Sequence, residues 1–417
     1  MKHKRIAILG LGYVGLPLAI GLSKSYDVIG YDIDSNRIIE LRKGIDKTLE
    51  IDKSTIKKQL DKKLFLTSDI NDLTDCNFYI ATVPTPISNK KKPDFRALKK
   101  VCEIIGKLLN VGDTVVFEST VYPGVTEEIC GPILEKNSKK LRSGEDFFLG
   151  YSPERVNPGD KIHTIDKINK VVSGQNKKVE NELVEIYSKL TDGKVFLAKS
   201  IKVAEASKVI ENAQRDINIA FINEVAKICR KIDISTYDVL EASMTKWNFL
   251  NFEPGLVGGH CIGVDPYYLA EKAINIGIKP KVILSGRKTN DSMVCFITKE
   301  IIDRIPNGSK CLFLGITFKE DVPDLRNSKS IELMNSLKKN NFKITFYDSF
   351  VEEIENFNSL NTKKSNETFD AIIMSVPHKT ILDNFNKLFL PRLKKNGHFF
   401  DIKGKFRNKK FKNYWSL

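Results

Sequence analysis

Hydrophobic and polar positions in the first 200 residues follow two alternating patterns. Short runs rich in β-branched and aromatic residues are separated by longer stretches whose apolar positions recur every three or four residues. We interpret the runs RIAILGLG, DVIGYD, LFLTSD, NFYIATV, TVVFEST and DFFLGYSP as strands, and RALKKVCEIIGKLL as one of the amphipathic helices between them. Such alternation predicts a parallel sheet with crossover helices.

A different pattern occupies the middle of the chain. Residues 201–230 form a helical pattern that holds no Gly or Pro, and helical sequence continues to about residue 300. The β/α alternation then resumes with the strands KCLFLGI, FKITFYD, DAIIMSV and GHFFDIK and the helix SIELMNSLKKN. We therefore predict an α/β fold with three domains, at residues 1–200, 201–303 and 304–417, of which the outer two could be structural echoes of each other.

Composition is typical of a globular protein, with 41% hydrophobic and 29% charged residues. No apolar run approaches the roughly 20 residues that a membrane span requires. The basic and apolar start of the chain continues as a glycine turn and a helix, so we interpret it as folded structure rather than as a signal peptide. The seven cysteines are scattered and form no CxxC pair, which favours a cytoplasmic location.

The formal net charge of +15 favours polyanionic partners in general. However, the sequence holds no basic helix interleaved with aromatic residues, and no zinc-finger or RNA-binding signature. A solvated basic surface, which would also attract ligands that carry phosphates, is therefore favoured over nucleic-acid binding.

The first predicted turn has the spacing of a dinucleotide-binding loop. Gly10, Gly12 and Gly15 form GxGxxG between a strand and a helix, so the backbone can approach a pyrophosphate and the helix N-terminus can donate to it. The second strand ends at Asp32, whose carboxylate would bind the adenosine ribose hydroxyls and repel a 2′-phosphate. Together these features predict an NAD site.

Three further residues could border the cofactor. Thr85 and Thr120 each follow a predicted strand, where a doubly wound sheet presents its ligand-facing loops. Arg37 could flank the ribose. Threonines are also common in turns and an arginine is common on an exposed helix, so residue type alone leaves both interpretations open.

The segment GLVGGHCIGVDP holds the candidate nucleophile. Cys261 lies in a loop with polar neighbours, where an accessible thiol can be ionised by a nearby cation, whereas a structural cysteine is more typical of an apolar pattern. Gly258 and Gly259 allow close approach of the backbone. A metal site with His260 and Cys261 as ligands is disfavoured, because adjacent residues are an unusual chelating pair and no second Cys or His follows at zinc-like spacing.

Polar residues recur along the long predicted helix at steps of three and four, apart from one larger gap. They are Glu205, Lys208, Asn212, Arg215 and Asn223, and the apolar faces beside them carry Val203, Ile210, Ile217 and Phe221. This seam is either an ordinary solvated face or lines a cleft at an interface, where a lysine and an asparagine one turn apart could stabilise an oxyanion. In SPERVNPG, Glu154 is a candidate acid or base and Arg155 a candidate anion clamp.

A nicotinamide site combined with a nucleophilic thiol indicates a specific reaction. Oxidation of an alcohol to a ketone needs no covalent thiol. A thiol becomes useful when an aldehyde must be held, oxidised again as a thiohemiacetal and hydrolysed from a thioester. The sequence therefore predicts oxidation of a primary alcohol to a carboxylate with two hydride transfers.

Taken in order, these motifs resemble the UDP-glucose/GDP-mannose dehydrogenase family over nearly the whole chain. The resemblance rests on GLGYVGLPLA, ATVPTP, ESTVYPG, SPERVNPG, EASKVIENAQRDINIAFINE, GGHCIGVDP and GITFKEDVPDLRNSKS. It implies two Rossmann-like domains joined by a long central helix and a helical middle domain. It also implies NAD in the first domain, the nucleotide of a sugar in the last, and a homodimer formed through the central helix.

The resemblance assigns roles to the candidate residues. Cys261 would be the nucleophile. Lys208 and Asn212 would stabilise the oxyanions, with Lys208 also a proton acceptor, while Asp265 would orient or activate water and Glu154 would assist thioester hydrolysis. The implied cofactor contacts are Gly10, Gly12, Tyr13, Val14, Gly15, Asp32, Arg37, Thr85, Thr120 and Arg326, the last reaching the cofactor of a second subunit. The implied substrate contacts are Arg155, Val156, Lys208, Asn212, Arg215, Gly258 and Lys319.

Departures from the family pattern point to the substrate. Members that act on UDP-glucose or GDP-mannose typically have a lysine just before the aspartate, where this chain has Val264. GGHCIGVDPYYL resembles the UDP-N-acetyl-D-glucosamine/galactosamine 6-dehydrogenase branch, which implies a UDP-N-acetylhexosamine substrate (UDP-GlcNAc or UDP-GalNAc) and a product for surface polysaccharide. SPERVNPG lacks the second carboxylate of UDP-glucose enzymes, which weakens the role of Glu154.

Other functions stay open at this point. Within the family, the alternatives are UDP-N-acetylmannosamine and UDP-glucose 6-dehydrogenases. Tyr268 and Lys272 match the YxxxK of short-chain reductases, but they lie far outside the first domain. A non-catalytic NAD-sensing regulatory protein would not need Cys261, Lys208 and Asp265 together. We expect no metal, nucleic-acid or membrane partner.

Overall fold

The computed structural model describes residues 4–157, 159–160, 162–192 and 194–417. It contains two compact units, Met1–Glu211 with Tyr267–Lys279, and Asn212–Pro266 with Pro280–Leu417. The division falls inside the long helix of the middle of the chain. The predicted three-domain borders at residues 200 and 303 stay a prediction.

An eight-stranded sheet forms the centre of the first unit. Its strands are β1 (Arg5–Leu9), β2 (Asp27–Tyr31), β3 (Leu64–Thr67), β4 (Phe78–Ala81), β5 (Thr114–Phe117), β6 (Phe148–Tyr151), β7 (Lys170–Gly174) and β8 (Val195–Leu197). Their order is β3-β2-β1-β4-β5-β6-β7-β8. Neighbours are parallel except β6 and β7, which run antiparallel. The six strands that the hydrophobic pattern predicts are all present.

Six helices accompany this sheet. They are α1 (Gly15–Leu22), α2 (Ser35–Arg42), α3 (Lys53–Leu60), α4 (Arg96–Leu108), α5 (Gly131–Asn137) and α6 (Lys177–Ser188). The side chains of Asp34, Asp52 and Asn176 accept a backbone N–H at the starts of α2, α3 and α6, which satisfies donors that a helix leaves open at its first turn. Apolar side chains of β1, β2 and α1 pack into one buried core, for example Ile8 and Leu18.

The middle of the chain is helical, as predicted. Its helices are α7 (Ile201–Lys231), α8 (Thr236–Met244), α9 (Asp265–Asn275), α10 (Lys281–Asp291) and α11 (Met293–Ile302). The 31 residues of α7 match the predicted helix at 201–230 to within one residue. None of the described helices is long and apolar enough to cross a membrane.

A six-stranded parallel sheet forms the centre of the second unit. Its strands are β9 (Lys310–Leu314), β10 (Lys343–Tyr347), β11 (Asn358–Ser359), β12 (Phe369–Met374), β13 (Leu393–Asp401) and β14 (Tyr414–Trp415). Helices α12 (Lys329–Lys339) and α13 (Lys379–Asn384) connect them. The order is β11-β10-β9-β12-β13-β14, so the connection reverses between β9 and β12, as it does between β1 and β4 in the first sheet.

The two sheets share a detail at their first loops. A glycine with positive φ ends the first strand of each, Gly10 at 102° and Gly315 at 77°. The amide after each glycine donates to the carboxylate at the end of the next strand, Asp32 at 2.8 Å and Asp348 at 2.7 Å. This common geometry supports the expectation that the outer domains echo each other.

Candidate active site

The glycine loop of the first unit has the shape that a pyrophosphate needs. A Cβ added at Gly15 would overlap the Gly10 carbonyl oxygen and lie 2.6 Å from the Thr82 hydroxyl, so only glycine lets α1 pack this closely on β1. At Gly12 a Cβ would meet no atom within 4 Å, so the backbone there borders open space. Val14 directly precedes α1. These features fit a dinucleotide at the β1–β4 reversal.

Asp32 is half-buried at the end of β2. One carboxylate oxygen accepts from the Leu11 amide at 2.8 Å, and the other accepts from the Asp34 amide at 3.0 Å. Both bonds fix the carboxylate beside the glycine loop. Each oxygen keeps a further lone pair for a ribose hydroxyl.

Arg37 braces the same loop from α2. Its guanidinium donates twice to the Leu11 carbonyl, at 3.0 and 2.9 Å, and once to Asp46 at 2.8 Å. Burial alone would raise the pKa of Asp46, but hydrogen bonds from Thr48 and Arg37 outweigh it and hold that pKa below its usual value. Arg37 therefore supports the loop through an ion pair that its spacing from Asp32 did not indicate, and its predicted cofactor contact stays a prediction.

The two candidate threonines are close together. The Thr85 hydroxyl donates to the Thr120 carbonyl at 2.8 Å, which joins the loops after β4 and β5. Tyr268 donates to the Thr85 carbonyl at 2.6 Å, and Lys272 pairs with Glu128. The two residues of the YxxxK match therefore contact different partners, the Thr85 carbonyl and the Glu128 carboxylate.

Glu154 belongs to a buried charged cluster that the sequence reasoning missed. Lys170 donates to Glu118 at 2.6 Å and lies 3.6 Å from Glu154. Tyr187 donates to Glu118 at 2.5 Å. Burial raises the pKa of Glu118 to about 7, with the charge of Glu154 adding to the shift and Lys170 opposing it. One signal was available, since Glu118 opens the motif that contains Thr120.

Arg155 and Val156 follow Glu154 in the same loop. The Arg155 guanidinium pairs with Glu211 of α7 at 2.9 Å and donates to the Asn169 carbonyl at 3.1 Å. The Val156 amide donates to Glu154 at 2.5 Å. The predicted anion clamp is thus held on α7 by a carboxylate.

The polar seam of α7 is largely buried rather than solvated. Glu205, Lys208, Asn212 and Asn223 are buried, while Arg215 is exposed. Glu205 accepts from the amides of Gly124 and Thr126, and burial raises its pKa to about 7. The solvated-face interpretation therefore holds only for Arg215.

The second unit holds residues 255–265, here called the cysteine loop, and hydrogen bonds from α7 fix both ends of this loop. At its start, Asn223 of α7 exchanges two hydrogen bonds with the Gly255 backbone, at 2.8 and 3.0 Å. At its end, Asp265 is buried in the first turn of α9 and accepts from Asn212 at 2.5 Å. Two side chains of α7 therefore set the position of the loop.

Cys261 lies just before α9. Its carbonyl accepts from the Val264 and Asp265 amides, at 3.0 and 2.9 Å, so the residue directly precedes the positive end of the helix. The residue is partly exposed, whereas five other cysteines are buried. A helix N-terminus favours negative charge, as a nucleophilic thiolate requires.

The glycines before Cys261 pack against the segment after β9. A Cβ at Gly258 would lie 2.6 Å from the Asn327 carbonyl oxygen, and Gly259, with φ of 82°, lies against the Phe318 ring. The Asn327 side chain donates to the Gly259 carbonyl at 3.2 Å. The close approach that the glycine pair predicts is therefore present.

That segment also carries the predicted Lys319 and Arg326. Arg326 makes a bidentate pair with Asp324, and one of its nitrogens lies 3.5 Å from His260. Lys319 is half-buried, and its carbonyl accepts from Thr317 at 2.8 Å. Within this unit, both cations thus belong to the segment that contacts the cysteine loop.

A buried His378 fixes the same segment from the loop after β12. It lies 3.0 Å from Asp348 and accepts from the Asp321 amide at 2.9 Å. Hydrogen bonds from His378 and two backbone amides outweigh burial and hold the pKa of Asp348 below its usual value. No motif in the sequence indicates this pair, in which His378 contacts the carboxylate that corresponds to Asp32 of the first unit.

Among the described residues, no group of three or more His, Cys, Asp or Glu side chains is arranged to hold a metal ion. His260 points its ring toward Phe318 and Arg326. Within the second unit, the chemistry that these residues can supply is the thiol of Cys261, the amide of Asn212 and the carboxylate of Asp265, and the first unit holds the buried amine of Lys208 and the carboxylate of Glu154.

Comparison with known proteins extends over almost the whole chain. The model of the UDP-glucose/GDP-mannose dehydrogenase family matches with its NAD binding domain at residues 4–191, its central domain at 202–292 and its UDP binding domain at 312–408.

Two curated relatives and one solved structure are similar over more than nine-tenths of their lengths. Protein CapL of Staphylococcus aureus is 47% identical, over 96% of each chain. UDP-N-acetyl-D-glucosamine 6-dehydrogenase of Pseudomonas aeruginosa is 47% identical, over 91% of each chain. The structure of UDP-D-ManNAc dehydrogenase from Pyrococcus horikoshii superposes with a TM-score of 0.87 at 28% identity, over 99% of each chain.

Proposed function

Because the chain belongs to the UDP-glucose/GDP-mannose dehydrogenase family, we propose that it oxidises the C6 hydroxymethyl of a UDP-N-acetylhexosamine, UDP-GlcNAc or UDP-GalNAc, to the uronic acid. The predicted family, the enzyme class and NAD as cofactor are confirmed by the match. The observation that carries the rest of the proposal is the cysteine loop, in which Cys261 precedes α9 and Asp265 is held by Asn212 of α7.

The proposed reaction is a four-electron oxidation. NAD bound at the glycine loop would accept one hydride in each of two oxidations. Lys208 would take the C6 hydroxyl proton or stabilise the alkoxide, which leaves an aldehyde once the first hydride has gone. The sulfur of Cys261 would add to this aldehyde, and loss of the second hydride from the thiohemiacetal would leave a thioester.

Hydrolysis completes the cycle. Water would add to the thioester carbonyl, and Asp265 and Glu154 would orient or deprotonate it. The carbon–sulfur bond then breaks, and Cys261 is restored. One hydroxymethyl group, two NAD⁺ and one water thus give one carboxylate, two NADH and three protons.

Two observations support an N-acetylated sugar. Val264, which replaces the lysine typical of members that act on UDP-glucose, is buried directly before α9. The Pseudomonas aeruginosa relative carries the name of a UDP-GlcNAc 6-dehydrogenase. UDP-N-acetylmannosamine is the second candidate, because the Pyrococcus horikoshii structure is that of a UDP-D-ManNAc dehydrogenase.

The substrate is tested by assaying UDP-GlcNAc, UDP-GalNAc, UDP-ManNAc and UDP-glucose side by side for NADH release. We expect the largest kcat/KM with UDP-GlcNAc or UDP-GalNAc. A preference for UDP-ManNAc or UDP-glucose would contradict the substrate proposal. NAD binding without turnover of any of the four would revive the regulatory alternative.

The role proposed for Asp32 predicts a change in cofactor choice. Asp32→Ala should weaken NAD binding by about tenfold or more, because two charge-assisted hydrogen bonds to the ribose are lost, and should reduce discrimination against NADP. The measurement is the Kd of each cofactor by fluorescence titration. Asp34→Ala, which removes only the cap of α2, should lower stability and leave cofactor affinity unchanged. Unaltered affinity of Asp32→Ala for both cofactors would remove Asp32 from the site.

The proposed homodimer rests on an apolar stripe along α7. Val203, Ile210, Phe221 and Ile228 are 49–62% exposed and recur at steps of 7, 11 and 7 residues, which places them on one side of the helix. A helix of a second copy would cover this stripe. A cytoplasmic location, favoured by the scattered cysteines, and a product destined for surface polysaccharide belong to the same proposal.

Charge on this stripe is expected to separate the subunits. The double variant Ile210→Glu, Phe221→Glu should weaken dimerisation by about 100-fold or more, because two-fold symmetry brings like charges together. Sedimentation equilibrium measures the change. Val111→Glu with Ile162→Glu, which alters equally exposed apolar residues elsewhere, is the matched control. A double stripe variant that sediments like wild type would locate the interface elsewhere.

A further inference from the structure

We infer that Lys170 and Glu118 are positioning residues that hold the Glu154 side chain oriented for hydrolysis of the thioester on Cys261. The inference rests on the proposed function, since it extends the role proposed for Glu154. Within this cluster, the sequence motifs assign a role to Glu154 and none to Lys170 or Glu118.

The sheet topology brings the three residues together. Glu118 follows β5 and Glu154 follows β6, and the ends of these parallel strands lie at the same edge of the sheet. Because β7 runs antiparallel to β6, its first residue, Lys170, lies at that edge as well. Lys170 is therefore fixed by the backbone of β7 and Glu118 directly follows β5, whereas Glu154 lies in the loop after β6, where these two residues can restrain its side chain.

The cluster is buried and charged. Lys170 and Glu118 are almost fully buried, and the lysine lies between the two carboxylates at 2.6 and 3.6 Å. Taking an ammonium group out of water is costly unless it is paired, and replacement of a whole buried ion pair by apolar residues is often neutral for stability, whereas removal of one partner is strongly destabilising. A lysine at this position therefore indicates a use for its charge.

The two carboxylate oxygens of Glu154 differ in their hydrogen bonds. Oε1 accepts from the Val156 amide of its own loop at 2.5 Å. Oε2 is buried, and no donor within the described residues lies at hydrogen-bond distance from it. Lys170 faces Oε2 at 3.6 Å, beyond hydrogen-bond distance. Oε2 therefore faces the ammonium group and keeps its lone pairs for a further hydrogen bond.

The other groups around Glu118 set how strongly Lys170 acts on Glu154. Burial lowers the pKa of Lys170, but the two carboxylates outweigh it, so the pKa is raised and the cation persists at neutral pH. With its pKa raised to about 7 by burial and by Glu154, Glu118 gains charge as pH rises through neutrality. Burial and the Glu118 charge also raise the pKa of Tyr187, which stays a donor. Glu118 and Glu154 thus compete for one cation.

The first experiment follows Lys170→Met with limiting enzyme and saturating substrate. Both hydride transfers precede hydrolysis, so we expect a burst of two NADH per site at the wild-type rate. Steady-state turnover should then fall about 100-fold, which is the usual contribution of a general base. Intact-mass spectrometry should detect the thioester adduct, and Lys170→Arg should restore turnover.

A merely structural role gives a different result. If Lys170 only supports the fold, burst and steady state fall together with the melting temperature and no adduct accumulates, which would overturn the inference. Lys177→Met, which breaks an exposed ion pair with Glu180, is the matched control and should change neither phase. A wild-type enzyme that releases fewer than two NADH per sugar would instead contradict the proposed function.

A second variant keeps the test decisive if Lys170→Met does not fold. Glu118→Gln preserves shape but replaces the carboxylate that accepts from Lys170 at 2.6 Å, so the ammonium group is no longer held by an ion pair on that side. Decay of the thioester adduct should therefore slow about tenfold, while the burst of two NADH keeps its rate and amplitude. An unchanged rate of adduct decay in Glu118→Gln would overturn the inference.

Discussion

Uronic-acid formation by Cys261→Ala is expected to fall at least about a thousandfold, as when a covalent nucleophile is removed from other enzymes. Without the sulfur, no thiohemiacetal forms, so the aldehyde has no covalent route to the second oxidation. The variant should still bind NAD and UDP-sugar, because the glycine loop and the segment after β9 are unchanged. Product is measured by chromatography of the UDP-sugar acid.

The control for this variant is Cys295→Ala, which removes an exposed thiol on α11 and should keep wild-type turnover. Cys261→Ser is informative in another way. An ester formed through the serine hydroxyl hydrolyses slowly, so this variant should stall with a covalent adduct that mass spectrometry detects. Acid formation by Cys261→Ala at the wild-type rate would show that the reaction is not covalent.

Lys208→Met is expected to lower kcat about 100- to 1,000-fold, the usual effect of removing one donor that stabilises an oxyanion. Lys208 is buried on α7, one turn before Asn212, which holds Asp265 beside the cysteine loop. Affinity for NAD should be unchanged. Stopped-flow absorbance at the NADH band separates the first hydride transfer, which should be slowed, from later steps.

Two further variants, Lys202→Met and Lys208→Arg, help to interpret this result. Lys202→Met on the same helix, which breaks an exposed ion pair with Glu128, should keep the wild-type rate. Lys208→Arg restores charge but cannot accept a proton. Partial recovery in Lys208→Arg would indicate charge stabilisation, and no recovery would indicate proton transfer. A normal first hydride transfer in Lys208→Met would exclude Lys208 from the chemistry.

Local patterns predicted most of the fold. Strands such as β1, β4, β5 and β9 are buried on both faces of their sheets, so they read as continuous apolar runs. β7 and β8 were missed for the opposite reason. β7 starts with Lys170, whose charge hides a buried strand, and β8 has only three residues, with Phe196 exposed.

The candidate site was predictable where the residues that act together lie within one short motif. The spacing of Gly10, Gly12 and Gly15 fixes the loop, because a Cβ at Gly15 would overlap the backbone of Gly10. The spacing of four residues between Cys261 and Asp265 likewise fits the turn that starts α9, in which the Asp265 amide donates to the Cys261 carbonyl. Such constraints act over a few residues, so they are visible in the sequence alone.

Contacts between distant segments could not be predicted in this way. Arg37 binds Asp46 across a loop, and the pairing of Lys170 with Glu118 depends on an antiparallel strand in an otherwise parallel sheet. The same holds for the contact between His378 and Asp348, which lie in two separate loops. Only the folded chain brings these charges together.

The stoichiometry of NADH tests most directly whether one site carries out the four-electron oxidation. A limiting amount of UDP-GlcNAc is consumed to completion with excess NAD, and both NADH and the UDP-sugar acid are quantified. Our account predicts two NADH and one uronic acid per sugar, with UDP-GalNAc tested in parallel. One NADH per sugar with an aldehyde as the end product would contradict it.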